Sequence, residues 1–208
     1  MSQTEETPQI YLITPPAFEP EDFGARLARI LDAVPVACIR LALATQDEQA
    51  LARAADAVRE CAHARDVAIV IERHTQLVGP LGLDGVHLPD GAGGVRRARA
   101  ALGGDAILGA FCGTSRHSGM TAGEAGADYI AFGPVGQTPL GDGSRAEHAL
   151  FEWWSQMIEL PVVAEGALSE SLVESLAPVT DFFAVGEEIW REEDALGALR
   201  RLTAPLGL

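Results

Sequence analysis

ILGAFCGTSRHSGMTAGEAGADYIAFGPV, residues 107–135, opens on one apolar run and closes on another. Ile107–Phe111 reads as a buried strand, and Cys112 to Ser115 as a polar turn. A helix with small residues on its inner side follows and ends near Gly126. Asp128 then leads into a second strand, Tyr129–Phe132, closed by Gly133-Pro134. Strand, helix and strand with tight Gly-rich joints make a βαβ unit, whose two strands run parallel. Binding or catalytic groups of such a unit belong at the strand ends, here Cys112–Ser115 and Gly133–Thr138.

The same alternation runs outward in both directions. Upstream, strands are expected at Ile10–Thr14, Val36–Leu43, Val67–Ile71 and Asp84–Leu88. Helices are expected over Glu21–Ala33, Asp47–Ala64, Thr75–Leu81 and Gly93–Leu102, from apolar residues at helical spacing. Downstream, strands at Val162–Ala164 and Phe182–Val185 alternate with helices over Glu147–Ile158, Ser169–Leu176 and Glu188–Leu202. Eight β-then-α units without a linker predict an α/β fold, a single (β/α)8 TIM barrel over residues 1–208, with 1–9 as a disordered tail. The related strand openings DGVHL, ADYIAFG and DFFAVG read as repeated unit design.

The chain has 208 residues, 48% of them apolar, enough for one well-buried domain. Its 15 basic residues against 30 acidic ones give a formal charge of −15. Nucleic acids and anionic membranes need a basic surface, so neither is an expected partner. All the basic residues are Arg, so no mechanism here can use a lysine. Three widely spaced cysteines fit reduced thiols better than a disulfide framework or a zinc site. A polar, acidic start and the absence of a ~20-residue apolar run lead to the expectation of a cytoplasmic protein.

IYLITPP (10–16), DGVHLPD (84–90), TSRHSGMTAGEAGADYIAFGPV (114–135) and LPVVAEGAL (160–168) resemble the thiamine phosphate synthase family. The 114–135 stretch is closest to its alphaproteobacterial branch. That resemblance implies a cytoplasmic, homodimeric TIM barrel. It would join a pyrimidine diphosphate to a thiazole phosphate at the C-terminal mouth, with Mg²⁺ holding the diphosphate. A related thiazole tautomerase performs a proton shift on the same scaffold.

Matched position by position, the family's Gln-x-Arg-x-Lys after strand two is Cys38-Ile39-Arg40-Leu41-Ala42 here, leaving Arg40 alone. Asn-Asp-Arg after strand three is Ile71-Glu72-Arg73, which keeps a carboxylate. After strand four, Asp90 is the nearest substitute for the second metal ligand, which makes Glu72 and Asp90 the expected magnesium pair. Thr-Pro-Thr-Lys after strand six is Thr138-Pro139-Leu140-Gly141, a second lost lysine. The thiazole phosphate site keeps Gly166 but carries Glu165, Glu187 and Glu188 where small, apolar or hydroxyl residues are usual. Three carboxylates there would repel a phosphate, at about 4 kcal/mol per unit-charge contact at about 4 Å and an effective dielectric of about 20.

The expected catalytic groups are therefore Arg40, His87 and Cys112. Arg73, Thr114, Ser115, Gly133, Thr138, Glu165, Gly166 and Glu187 are expected to line the ligand site. Each has a plainer reading: His87 as a satisfied core histidine, Cys112 as an inert thiol, Ser115 as a helix N-cap, Gly133 as a barrel turn. The residues lost predict a degenerate diphosphate site with weak or altered activity. Two alternatives stand beside it, a non-catalytic small-molecule or regulatory barrel and a tautomerase-like isomerase with His87 as base.

Overall fold

A computed structural model describes residues 7–138 and 143–208. Eight parallel strands close in sequence order: β1 Gln9–Ile13, β2 Val36–Leu41, β3 Ala68–Glu72, β4 Gly85–Leu88, β5 Ile107–Phe111, β6 Tyr129–Phe132, β7 Val162–Glu165 and β8 Phe182–Val185. Registers such as Arg40↔Val70, Glu72↔His87, Gly109↔Tyr129 and Ala184↔Tyr11 carry the pairing around the ring. The expected (β/α)8 barrel is the fold observed. Gln9 already belongs to β1, and its N–H donates to the Asp181 carbonyl. Residues 1–6 lie outside the described residues.

The helices are α1 Pro20–Leu31, α2 Glu48–His63, α3 Val95–Leu102, α4 Arg116–Glu124, α5 His148–Met157, α6 Glu170–Leu176, α7 Glu187–Trp190 and α8 Ala195–Leu202. Their starts follow local chemistry: Asp47, Ser115 and Ser169 accept hydrogen bonds from backbone N–H groups of the first turn. Two expectations change. The link after β3 is a 3₁₀ turn, Thr75–Leu77, rather than a helix to Leu81. The last helix is broken in two, because Asp194 caps a fresh start at Gly197 N.

Alternation within each strand sorts side chains into two layers. Outward-facing Ile10, Leu12, Ile39, Ile69, Val86, Leu108, Ile130 and Phe183 pack against the helices. Trp154 of α5 lies in that layer, edge-on to Phe132 with centroids 5.1 Å apart, and its indole N–H donates to the Leu160 carbonyl. Trp153 is only partly buried and carries the Arg116 guanidinium 4.7 Å above its ring. Tyr11, Cys38, Val70, Tyr129, Ala131, Val163 and Ala184 instead fill the barrel interior.

The repeated openings DG, DY and DF acquire a structural meaning at the amino-terminal rim. Asp84, Asp128 and Asp181 each precede an even-numbered strand. Their carboxylates accept from the backbone N–H groups of Ile69, Leu108 and Val162, at 2.7 Å in all three cases. Each Asp N–H returns a bond to the carbonyl of the same residue, at 2.9, 2.7 and 3.0 Å. One residue type thus clamps three strand pairs. Among the described residues, no helix is long and apolar enough to cross a membrane.

Candidate active site at the barrel mouth

Alternation sends Tyr11, Arg40, Glu72, His87, Tyr129 and Glu165 into one interior space. Arg40, one residue before the end of β2, is 4% exposed. Its Nη2 lies 3.2 Å and 3.1 Å from the two carboxylate oxygens of Glu165, at the end of β7. Its Nε faces Glu72 Oε2 at 3.8 Å, and its guanidinium rests 5.7 Å from the Tyr11 ring centroid. Burial alone would lower the Arg40 pKa, but Glu165 and the phenols of Tyr11 and Tyr129 outweigh it, and the cation is reinforced. Arg40 therefore sits between two carboxylates.

Beneath this pair runs a chain of neutral groups. The Tyr11 and Tyr129 hydroxyls share a 2.7 Å hydrogen bond, and Tyr129 Oη lies 2.9 Å from His87 Nδ1. The Tyr129 ring lies over Gly109, where any Cβ would fall far inside contact distance of the phenol carbon and oxygen. Three interior atoms lack a hydrogen bond of good geometry: Arg40 Nε, His87 Nε2 and Glu165 Oε2.

The remaining expected residues scatter. Cys112 turns away from the mouth into the layer between barrel and helices, and burial pushes its thiol pKa up. A reactive thiol is favoured by a lowered pKa, and Cys112 has the surroundings of a packing residue. Ser115 caps α4 by accepting from Ser118 N at 3.1 Å, while Thr114 is exposed. Gly133 is buried, and a Cβ there would press on the Glu165 carbonyl and side chain. Gly166 has φ +88° and lies against Pro134. Thr138 is half-buried, and residues 139–142 beside it lie outside the described residues.

Glu72 is turned to Arg40 and, at 3.4 Å, to Arg73. Asp90 is exposed and lines a separate cavity of about 750 Å³ on the barrel flank, with Arg73 and Arg97. Among the described residues no group of three or more His, Cys, Asp or Glu converges on one point.

The three carboxylates expected together at the phosphate pocket also separate. Glu165 is neutralised by Arg40, and Glu187 is exposed at the start of α7. Only Glu188 turns into the strand ends. Its two oxygens accept from Leu168 N at 3.0 Å and from Gly186 N at 2.9 Å. Sequence reasoning missed Tyr11, Tyr129 and this role of Glu188. The period-2 alternation in IYLI and DYIAFG carried the signal for the tyrosines.

His87 and Cys38 give the interior a pH signature. Burial, and then the nearby Arg40 cation, hold His87 well below its ordinary value. The unfolded imidazole takes a proton near pH 6.5, the buried one only at lower pH. Below about pH 6.5 the unfolded state therefore binds more protons, and stability falls by up to about 1.4 kcal/mol per pH unit. At the other edge burial pushes Cys38 up to about 12. Its unfolded thiol ionises near 8.5, so stability is lost as pH rises from about 8.5 towards 12. Denaturant unfolding between pH 5 and 10 should show His87→Gln flattening only the acid flank and Cys38→Ala only the alkaline one. Unchanged slopes would rule this account out.

The profile of the thiamine monophosphate synthase family matches residues 10–189. The thiamine-phosphate synthase of Rhodospirillum centenum is 40% identical over 184 residues, covering 88% of this chain and 89% of that protein. That of Hyphomonas neptunium is 39% identical over 207 residues, covering 96% and 94%. Among solved structures, the thiamine phosphate pyrophosphorylase of Pyrococcus furiosus superposes with a TM-score of 0.81 at 21% identity, covering 96% of this chain and 95% of that one. That last likeness speaks to the fold.

Proposed function

Because this chain belongs to the thiamine monophosphate synthase family, we propose that it is a transferase of that kind whose grip on a diphosphate is weak. In the family reaction the bond between the pyrimidine methylene and the diphosphate oxygen breaks. The diphosphate leaves with the electron pair, and the thiazole nitrogen attacks the cation left behind. The leaving group must be met by positive charge. The observation that carries the reading is the setting of Arg40, already shared between Glu165 and Glu72. With Arg73 beside Glu72, two guanidinium groups and two carboxylates sum to zero, and no lysine is available to add positive charge. Weak synthesis of thiamine phosphate is the consequence, in a cytoplasmic protein whose ligand is a small molecule at the mouth.

A second reading rests on Arg40 Nε, His87 Nε2 and Glu165 Oε2, which offer buried hydrogen-bonding positions without requiring turnover. In that reading the barrel binds a small neutral or cationic molecule.

Assaying the purified protein beside the Rhodospirillum centenum enzyme separates the two. With pyrimidine diphosphate, thiazole phosphate and Mg²⁺, kcat/KM should be at least about 100-fold lower, the scale of losing one charge-stabilising group. Pyrophosphate with Mg²⁺ should leave the melting temperature unchanged, where binding at 100 times Kd would raise it by roughly 5–11 °C. Turnover within tenfold of the relative would sink the weak-synthase reading. Zero turnover with saturable binding of a neutral pyrimidine would favour the second.

A further inference from the structure

The barrel has a second opening, at the end away from the mouth. Ala68, Ile107, Tyr129 and Phe182 are the first residues of β3, β5, β6 and β8, and all four line one cavity of about 220 Å³. Tyr11 and Cys38, the third residues of β1 and β2, line it from deeper inside and are buried. Ala68, Ile107 and Phe182 pack on the interior cluster yet are only half-buried, so the cavity opens at this end. Its space has a cause in the sequence. β3 opens on an alanine and β4 on Gly85, so the starts of two neighbouring strands bring a single methyl group.

We propose that this cavity is a binding site for a small uncharged apolar molecule, the size of a single aromatic ring. The inference goes beyond the proposed function and does not rest on it, because the ligands of that reading enter at the opposite end. The walls select the ligand class. The Tyr11 and Tyr129 hydroxyls bond to each other, and Tyr129 to His87, so neither phenol is left seeking a partner. A buried water needs roughly two to four polar partners, which these walls do not offer it. Burial raises the pKa of Tyr11 and pushes Cys38 up to about 12, the mark of surroundings that do not support charge. At the rim, the Asp128 carboxylate already accepts from Leu108 N and from Arg99. What remains is the apolar surface of Ala68, Ile107, Val163 and Phe182 and the phenol rings, which favours dispersion and ring-edge contacts. An apolar cavity of about 150 Å³ in another protein core takes benzene or xenon, so about 220 Å³ has room for one ring.

Benzene, added to the full-length protein, is the probe. Calorimetric titration should show saturable binding, and benzene at ten times its Kd should raise the melting temperature by about 3–6 °C. Ala68→Leu, which fills the space, should weaken binding at least about tenfold. Ile107→Phe fills it from another strand and carries the same comparison if the leucine variant fails to fold. A wild type without saturable binding, or filled variants that bind benzene as tightly as wild type, overturns the site. Neither result touches the weak-synthase reading, which turnover of the phosphorylated substrates decides.

Discussion

Replacing Arg40 with alanine should lower stability by about 3–5 kcal/mol, the usual result of removing one member of a buried ion pair. The loss comes mainly from what remains. Glu165 and Glu72 have side-chain exposures of 15% and 26%; Glu165 would lose its cation, and Glu72 would keep only the exposed Arg73. At 2–4 °C per kcal/mol for a chain of this size, the melting temperature should drop by roughly 6–20 °C. Arg40→Met combined with Glu165→Met should recover most of it, because apolar replacement of a whole buried pair is often neutral. A single variant as stable as wild type would show that the pair contributes nothing. A double variant as weak as the single one would show that Arg40 acts through other partners.

The second large effect is steric. Gly109→Ala places a methyl group inside the Tyr129 ring, which cannot stay where it is. Moving the ring breaks its bonds to Tyr11 and His87. Overpacking costs about 1–3 kcal/mol, and stranding buried hydroxyl and imidazole groups adds about 1–3 kcal/mol. A total of roughly 2–6 kcal/mol is expected, read by denaturant unfolding. Gly93→Ala serves as the comparison, since nothing lies within 4 Å of a Cβ there. It should fall within about 0.5 kcal/mol of wild type. Equal effects at the two positions would mean that the Tyr129 ring has room the packing does not show.

The barrel was readable in the chain because its signal is local. Ile107–Phe111, Tyr129–Phe132 and Phe182–Val185 are strands with the predicted ends, each bounded by its own Gly, Pro or Asp. The break between α7 and α8 was missed because residues 188–202 keep helical spacing through Asp194, and only the cap interrupts them. The site was harder for a geometrical reason. Arg40 and Glu165 are 125 residues apart and meet only through closure of the ring, so neither position announces the other. Tyr129 looks like an ordinary apolar strand residue until the register sets it over Gly109 and beside His87. Glu187 and Glu188 are indistinguishable as letters. One turn of backbone after Gly186 exposes the first and drives the second onto two N–H groups.

Asp84, Asp128 and Asp181 tie strand to strand at the amino-terminal rim, while Glu165, Glu187 and Glu188 stand at the opposite end. The clamps share no side chain with the Arg40 cluster, so a substitution in one leaves the hydrogen bonds of the other in place. Ring closure and ligand contact can thus be altered one at a time.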